Sequence, residues 1–205
     1  MTKAEARTRV DLLLDKAGGA YFTDAEKDEF LDMAVVEYIT ERYNRFELNQ
    51  KISDELSPFI QEQAANVGAF PATISTMTDL PNYMFLLWIT DGDREQLIKK
   101  SNVDQVISRK SDPFNNADAN NWFWYFDEEG DIVIEGFPNA IGNLTFNVYF
   151  IQRPDLPSGI GVSANMPGHI PSHFEMCEIA VRKMLAATEN PRYQVQMNEI
   201  RDSQA

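Results

Sequence analysis

Residues 121–138, NWFWYFDEEGDIVIEGFP, constrain the fold more than any other stretch of the chain. Five consecutive aromatic residues, Trp122 to Phe126, precede an acidic turn, after which Ile132 and Ile134 alternate with other residues. In an extended chain successive side chains point to opposite sides, so Trp122, Trp124 and Phe126 share one face and Phe123 and Tyr125 the other. The pattern predicts a hairpin turned at DEEG, apolar on both faces because another element or a neighbouring subunit covers the second.

Period-two patterning continues on both sides of this hairpin. Leu144, Phe146, Val148 and Phe150 alternate with Thr145, Asn147 and Tyr149, which predicts a third strand and, through FPNAIGN, a three-stranded meander. Upstream, NYMFLLWIT reads as a buried strand closed by DGD at 91–93, with REQLIKKS as its hairpin partner. The segment NVDQVISRKSDPF reads either as a short helix or as an exposed loop.

Outside residues 59–160 the period is helical. Val10, Leu13 and Leu14 lead to AGG at 17–19, where glycine suits a helix end. TDAE at 23–26 is a capping box, with Thr23 accepting from the Glu26 amide and the Glu26 carboxylate reaching back. Leu31, Val35, Tyr38 and Arg42 then follow at helical spacing, with Phe30, Ala34 and Ile39 widening the stripe, and the helix is predicted to reach about Phe46. Leu48, Ile52 and Leu56 extend the pattern to Pro58, which interrupts it. After a Gly- and Pro-rich loop, a helix starting at Pro171 or Ser172 carries Phe174, Cys177, Val181, Met184 and Leu185 as its apolar stripe. Tyr193, Met197 and Ile200 suggest one more amphipathic helix. The expected class is α+β: N- and C-terminal helices packed as a helical bundle with an inserted antiparallel β-sheet domain. Its divisions are 1–58, 59–160 and 161–205.

Charge narrows the function. Eighteen Lys and Arg stand against 32 Asp and Glu, a formal net charge of -14. Nucleic-acid affinity depends on basic residues that displace counterions from phosphates, and platforms for single strands combine aromatics with such residues. Between Asn115 and Gln152 there is no Lys or Arg, so the aromatic run does not read as a nucleic-acid platform. The longest apolar run, YMFLLWI, falls far short of the roughly 20 residues of a spanning helix, and the N-terminus lacks the apolar core of a signal peptide. The expectation is a soluble protein with no membrane contact.

Candidate chemistry is sparse. His169 and His173 in HIPSH have Pro171 between them and no nearby Cys or third His, so a loop and helix-cap role is favoured over a zinc site. Cys177 lies on an apolar stripe, where a thiol behaves as a small hydrophobe. DGD and DEEGD do not extend into an EF-hand loop. Nothing singles out a catalytic carboxylate pair among 32 acids. No catalytic, cofactor-binding or metal residue is assigned, no cofactor is implied, and the chain is not read as an enzyme.

Several stretches, in this order, carry a resemblance: AYFTDAEKDEFLDMAVVEYI, DLPNYMFLLWI, DPF with the aromatic strand after it, LTFNVYFIQRPD and HFEMCEIAVRKMLAATENPRYQ. Together they resemble a virion structural protein of tailed bacteriophages, of the head-to-tail connector or ring type found in crAss-like phages. The resemblance implies a homo-oligomeric ring, a dodecamer if it follows the portal's symmetry, bound beneath the portal protein and touching other connector or tail proteins. Genomic DNA would pass through its channel without sequence-specific binding. It implies a location in the virion neck or tail, and in the host cytoplasm during assembly. Trp122, Trp124 and Tyr125 in the sheet, and Arg192 and Tyr193 near the C-terminus, are the interface candidates. A tail-assembly or tail-fibre adaptor stands as the alternative, and a carboxylate-dependent glycan hydrolase as a third reading.

Overall fold

The computed structural model describes residues 1–16, 22–46, 50–68, 70–92, 97–102, 105, 123–136 and 144–189. The fold is mixed α+β, with four helices and two sheets among the described residues. The chain divides into two compact units: Met1–Pro58 with the chain from Pro154 onward, and Phe59–Arg153.

The first unit is helical. Helix α1 (Lys3–Lys16) turns Ala6, Val10 and Leu14 inward. Helix α2 (Asp24–Tyr43) begins at the Thr23 capping box, in which the Thr23 hydroxyl accepts from the Glu26 amide and the Glu26 carboxylate accepts from the Thr23 amide. Its buried stripe, Leu31, Ala34, Val35, Tyr38 and Ile39, follows the helical period. The helix stops at Tyr43, short of Phe46: the Asn44 amide donates to both Thr40 and Arg42 carbonyls, and the chain tightens into turns. Helix α3 (Gln50–Leu56) runs into a 3-10 turn, Ser57–Phe59, where Pro58 has no amide to continue the α-helical ladder. Helix α4 (Ile170–Glu189) packs on α2 and α1 and buries Met176, Cys177, Ala180, Val181 and Met184.

Two sequence expectations for α4 need correction. It starts at Ile170, ahead of Pro171, because proline is tolerated in a first turn where the amide has no partner to lose. Phe174 is 42% exposed, off the core-facing stripe. The stripe is carried instead by Met176, Ile179 and Ala180 beside Cys177.

The second unit holds β1 (Ile60–Val67), β2 (Ala72–Ile74), β3 (Tyr83–Asp91), β4 (Lys99–Lys100), β5 (Phe123–Glu128), β6 (Asp131–Gly136) and β7 (Leu144–Gln152). The hairpin of the opening motif forms as expected: β5 pairs antiparallel with β6, Glu128 facing Asp131. Its two-residue turn places Glu129 at φ 52° and Gly130 at φ 91°. Positive φ at both central residues matches the right-handed twist of the flanking strands, and Gly accepts it without steric cost.

The expected meander does not form. β7 leaves the hairpin and pairs with β1 and β3 in a separate three-stranded sheet, β1-β7-β3. The hairpin belongs to a four-stranded sheet, β2-β6-β5-β4. That sheet is mixed, not purely antiparallel, because β4 runs parallel to β5. REQLIKKS, expected to be a β3 hairpin partner, is split: Leu97 bridges Thr90 of β3, whereas Lys99 and Lys100 add to β5. The reason is burial. Ile132 and Ile134 from one sheet and Phe146, Val148 and Phe150 from the other fill one core with Val67, Ile74, Leu80, Ile89, Ile98 and Tyr125. Two sheets sharing inner faces cover more apolar surface than one meander with a face left open. FPNAIGN, most of NVDQVISRKSDPF and the expected helix at Tyr193–Ile200 lie outside the described residues.

Candidate functional site

Opposite charges at helical spacing hold α1 to α2. Lys3, Arg7 and Asp11 recur every four residues on α1, and Asp24, Lys27 and Asp28 occupy the start of α2. Asp28, with its side chain 8% exposed, takes Lys3 Nζ at 2.8 Å and Arg7 at 2.6 and 2.8 Å. Lys27 meets Asp11 at 2.8 Å and Asp24 at 3.3 Å. Burial alone would push the Asp28 carboxyl up, but hydrogen bonds from Arg7 and Lys3 outweigh it and hold the pKa below the usual value. A general acid needs the opposite, a carboxyl raised toward the working pH and open to substrate. This network therefore fastens the fold.

A second cluster ties α4 to α2 and α3. Arg42 donates to both oxygens of Glu175 at 2.7 and 2.6 Å, and its Nε to Glu55 at 2.7 Å. Its guanidinium lies 4.8 Å from the Tyr38 ring centroid, and the Tyr38 hydroxyl meets Ser172 at 2.8 Å. Lys183 pairs with Glu37 further along. The forked, planar guanidinium serves two carboxylates and a ring at once, which a lysine could not.

His173 and Cys177 are also held within the fold. His173 is buried, with Nδ1 3.3 Å from the Met1 amino nitrogen and Nε2 3.1 Å from the Gly168 carbonyl. A neutral ring that donates from Nε2 and accepts at Nδ1 satisfies both contacts. Burial, and then the adjacent amino charge, lowers its pKa. His169 is exposed. Burial pushes the Cys177 thiol up to about 11, far from the thiolate that nucleophilic catalysis needs. Among the described residues no group of three or more His, Cys, Asp or Glu is arranged to hold a metal ion. No described helix is long and apolar enough to cross a membrane.

Of the interface candidates, Trp122, Arg192 and Tyr193 lie outside the described residues. Trp124 sits on β5, in register with Glu135 of β6 and Lys99 of β4. Tyr125, the next residue, is only 5% exposed and belongs to the shared core. Phe126 and Val133 on the other side of the hairpin are buried too, so a single chain covers both of its faces at these positions.

Two exposed features escaped sequence reading. An open groove of about 650 Å³ runs between α1 and α4, floored by Leu13, Phe174 and Val181 and edged by Glu178 and Arg182. The Arg9 guanidinium lies 4.4 Å from the Phe174 ring centroid, and Ile170, one turn earlier, is 63% exposed. The second feature is β1. Its sequence, IQEQAANV, has no alternation to announce a strand, yet all eight residues register with β7, Ile60 with Ile151 through Val67 with Leu144. Gln61, Glu62, Gln63 and Ala64 are exposed in succession.

The architecture defines a mixed α+β protein of two units, with internally satisfied polar clusters and open surfaces. No protein-family model matches the chain, and no curated protein matches it.

Proposed function

We propose that this chain is a virion structural protein, a head-to-tail connector ring subunit of tailed bacteriophages. In this reading it binds beneath the portal, extends the DNA channel and attaches the tail, moving from host cytoplasm to the virion neck as the particle assembles. The terminal helices act as one braced bundle, and the sheet region is the inserted part that meets neighbours. It is not an enzyme.

The observation that carries the reading is the use of charge. The strongest donors and acceptors of the helical unit, Lys3, Arg7, Asp28, Arg42 and Glu175, are bound to one another and brace helices, while an open groove of mixed polar and apolar lining lies between α1 and α4. Side chains that rigidify a block, beside surfaces left for contact, suit a part of an assembly. The formal charge of -14 supports passage of DNA without adhesion, since like charges repel across a channel.

Mixing the purified chain with portal particles and imaging them by cryo-electron microscopy tests this. A ring of density on the portal vertex is expected, and density confined to the distal tail favours a tail-fibre adaptor. No association with portal or tail would reject the assembly role. Gel-shift titration at about 0.15 M salt should show no binding to duplex or single-stranded DNA. Tight retention of DNA would count against the channel reading.

A further inference from the structure

Helix α1 begins against the loop that leads into α4. The first amides of a helix have no partner within it, and here loop carbonyls supply them. The Lys3 amide donates to Ala164 at 2.9 Å and the Ala4 amide to Val162 at 3.1 Å. In return the Met166 amide donates to the Met1 carbonyl at 2.9 Å, and Thr2 bridges Asn165. Residues 1–4 thus form a short strap along 162–166. The side chain against it that changes charge near neutral pH is His173, 2% exposed in the first turn of α4. Its Nε2 lies 3.1 Å from the Gly168 carbonyl and its Nδ1 3.3 Å from the Met1 nitrogen. The Gly168 oxygen can only accept, so Nε2 carries the proton and Nδ1 is left to accept from Met1. The Met1 nitrogen is a donor as an ammonium and as an amide alike.

We propose that His173 is an acid-sensitive latch: a proton at Nδ1 frees Met1 and Thr2 from the 165–168 segment, with Lys3 as the pivot and the helices still folded. That proton turns Nδ1 from acceptor into donor, and the group facing it is already a donor. The contact becomes N–H against N–H, with like charges added by the Met1 amino group. The surroundings do not rescue the charged ring. Residues 157–168 have no ionisable side chain. The backbone of Met166, Pro167 and Gly168 favours the proton, but burial and the Met1 charge outweigh it. On α1, Glu5 accepts from the Thr2 amide at 2.8 Å, and Lys3 Nζ is held by Asp28 and by the Pro157 and Ile160 carbonyls. On α2, the Tyr38 hydroxyl meets Ser172, and Arg42 holds Glu175 of α4. Among the described contacts no carboxylate reaches the ring. The Lys3 anchorage explains the pivot, because Asp28 stays ionised well below the pH at which a histidine titrates. The latch goes beyond the connector reading and needs neither portal nor ring.

NMR-detected hydrogen exchange of the full chain between about pH 7 and about pH 5, corrected for the intrinsic pH dependence of exchange, tests the latch. The Met166 amide should lose protection as pH falls, by at most about tenfold per pH unit, the slope for uptake of one proton. It should also stay less protected than the amides of residues 176–184, which mark opening of α4 itself. Imidazole nitrogen shifts in the same samples should show Nδ1 bare at the upper pH and protonated over the range in which Met166 opens. His173→Asn keeps an acceptor toward Met1 that does not titrate, and it should flatten the Met166 response. His169→Asn, at the exposed histidine, should leave that response as in the wild type. Constant protection of Met166, exchange in step with residues 176–184 at every pH, or a response that persists in folded His173→Asn overturns the proposal. So does a response abolished by His169→Asn. If His173→Asn does not fold, exchange and ring titration of the wild type decide alone.

Discussion

At the scale of the residue, the helical unit buries Lys3, Lys27 and Asp28 and pairs each with opposite charge. Asp28 is held by two cations, and removing one partner of a buried pair leaves the others uncompensated. Asp28→Asn should lower unfolding stability by about 3–5 kcal/mol, measured by urea denaturation. Acid should act in the same direction. Asp28 and His173 both have folded pKa values below their ordinary ones, so the folded state binds fewer protons than the unfolded state as pH falls. The His173 contribution is complete above its ordinary pKa of 6.5 and declines as pH drops through the lower folded value. The Asp28 contribution is complete above its ordinary 3.8 and is lost below that. A thermal midpoint that rises on acidification from pH 6.5 would contradict the first assignment. Cys177 should resist alkylation by iodoacetamide in the native protein and react on unfolding, since burial keeps its thiol protonated and shielded. Rapid native labelling would show that helix α4 opens readily.

At the scale of the element, local signals were legible wherever local energetics decided the outcome. The Thr23 capping box announced the start of α2 because hydroxyl and carboxylate satisfy amides within four residues. Thr23→Ala should therefore cost about 1 kcal/mol. The hairpin β5–β6 was readable because its alternation and acidic turn are contiguous. Gly130 lies at φ 91° with open space around the position where a Cβ would sit, so Gly130→Ala should destabilise through backbone strain alone, by about 1 kcal/mol. A neutral or stabilising result in thermal melts would remove the turn from the features that direct the hairpin. Other elements were illegible for equally physical reasons. β1 lacks alternation because little of it is buried, and Phe174 looked like core because helical spacing places it near the stripe without saying how wide the neighbouring helices are.

At the scale of the whole molecule, each unit has a separate buried core, one built on α1, α2 and α4 and one between the two sheets. Ile134→Ala, in the second core, should cost about 2–5 kcal/mol, and its effect should add to that of Asp28→Asn in the first. A double mutant that departs from additivity by more than about 0.5 kcal/mol would show that the two sites are energetically coupled.

The sequence by itself determined the start of α2, the hairpin, the strand character of Tyr83–Asp91 and Leu144–Gln152 and the mixed class, because each depends on the side chains along a short piece of chain. Tertiary structure alone decided strand partners. β7 joined β1 and β3 in place of the adjacent β6, and β4 lay parallel to β5, because partner choice depends on how two sheets bury a common core. The strand at β1 belongs to the same category. Which strand it pairs with is a property of the packed chain, invisible in IQEQAANV read in order.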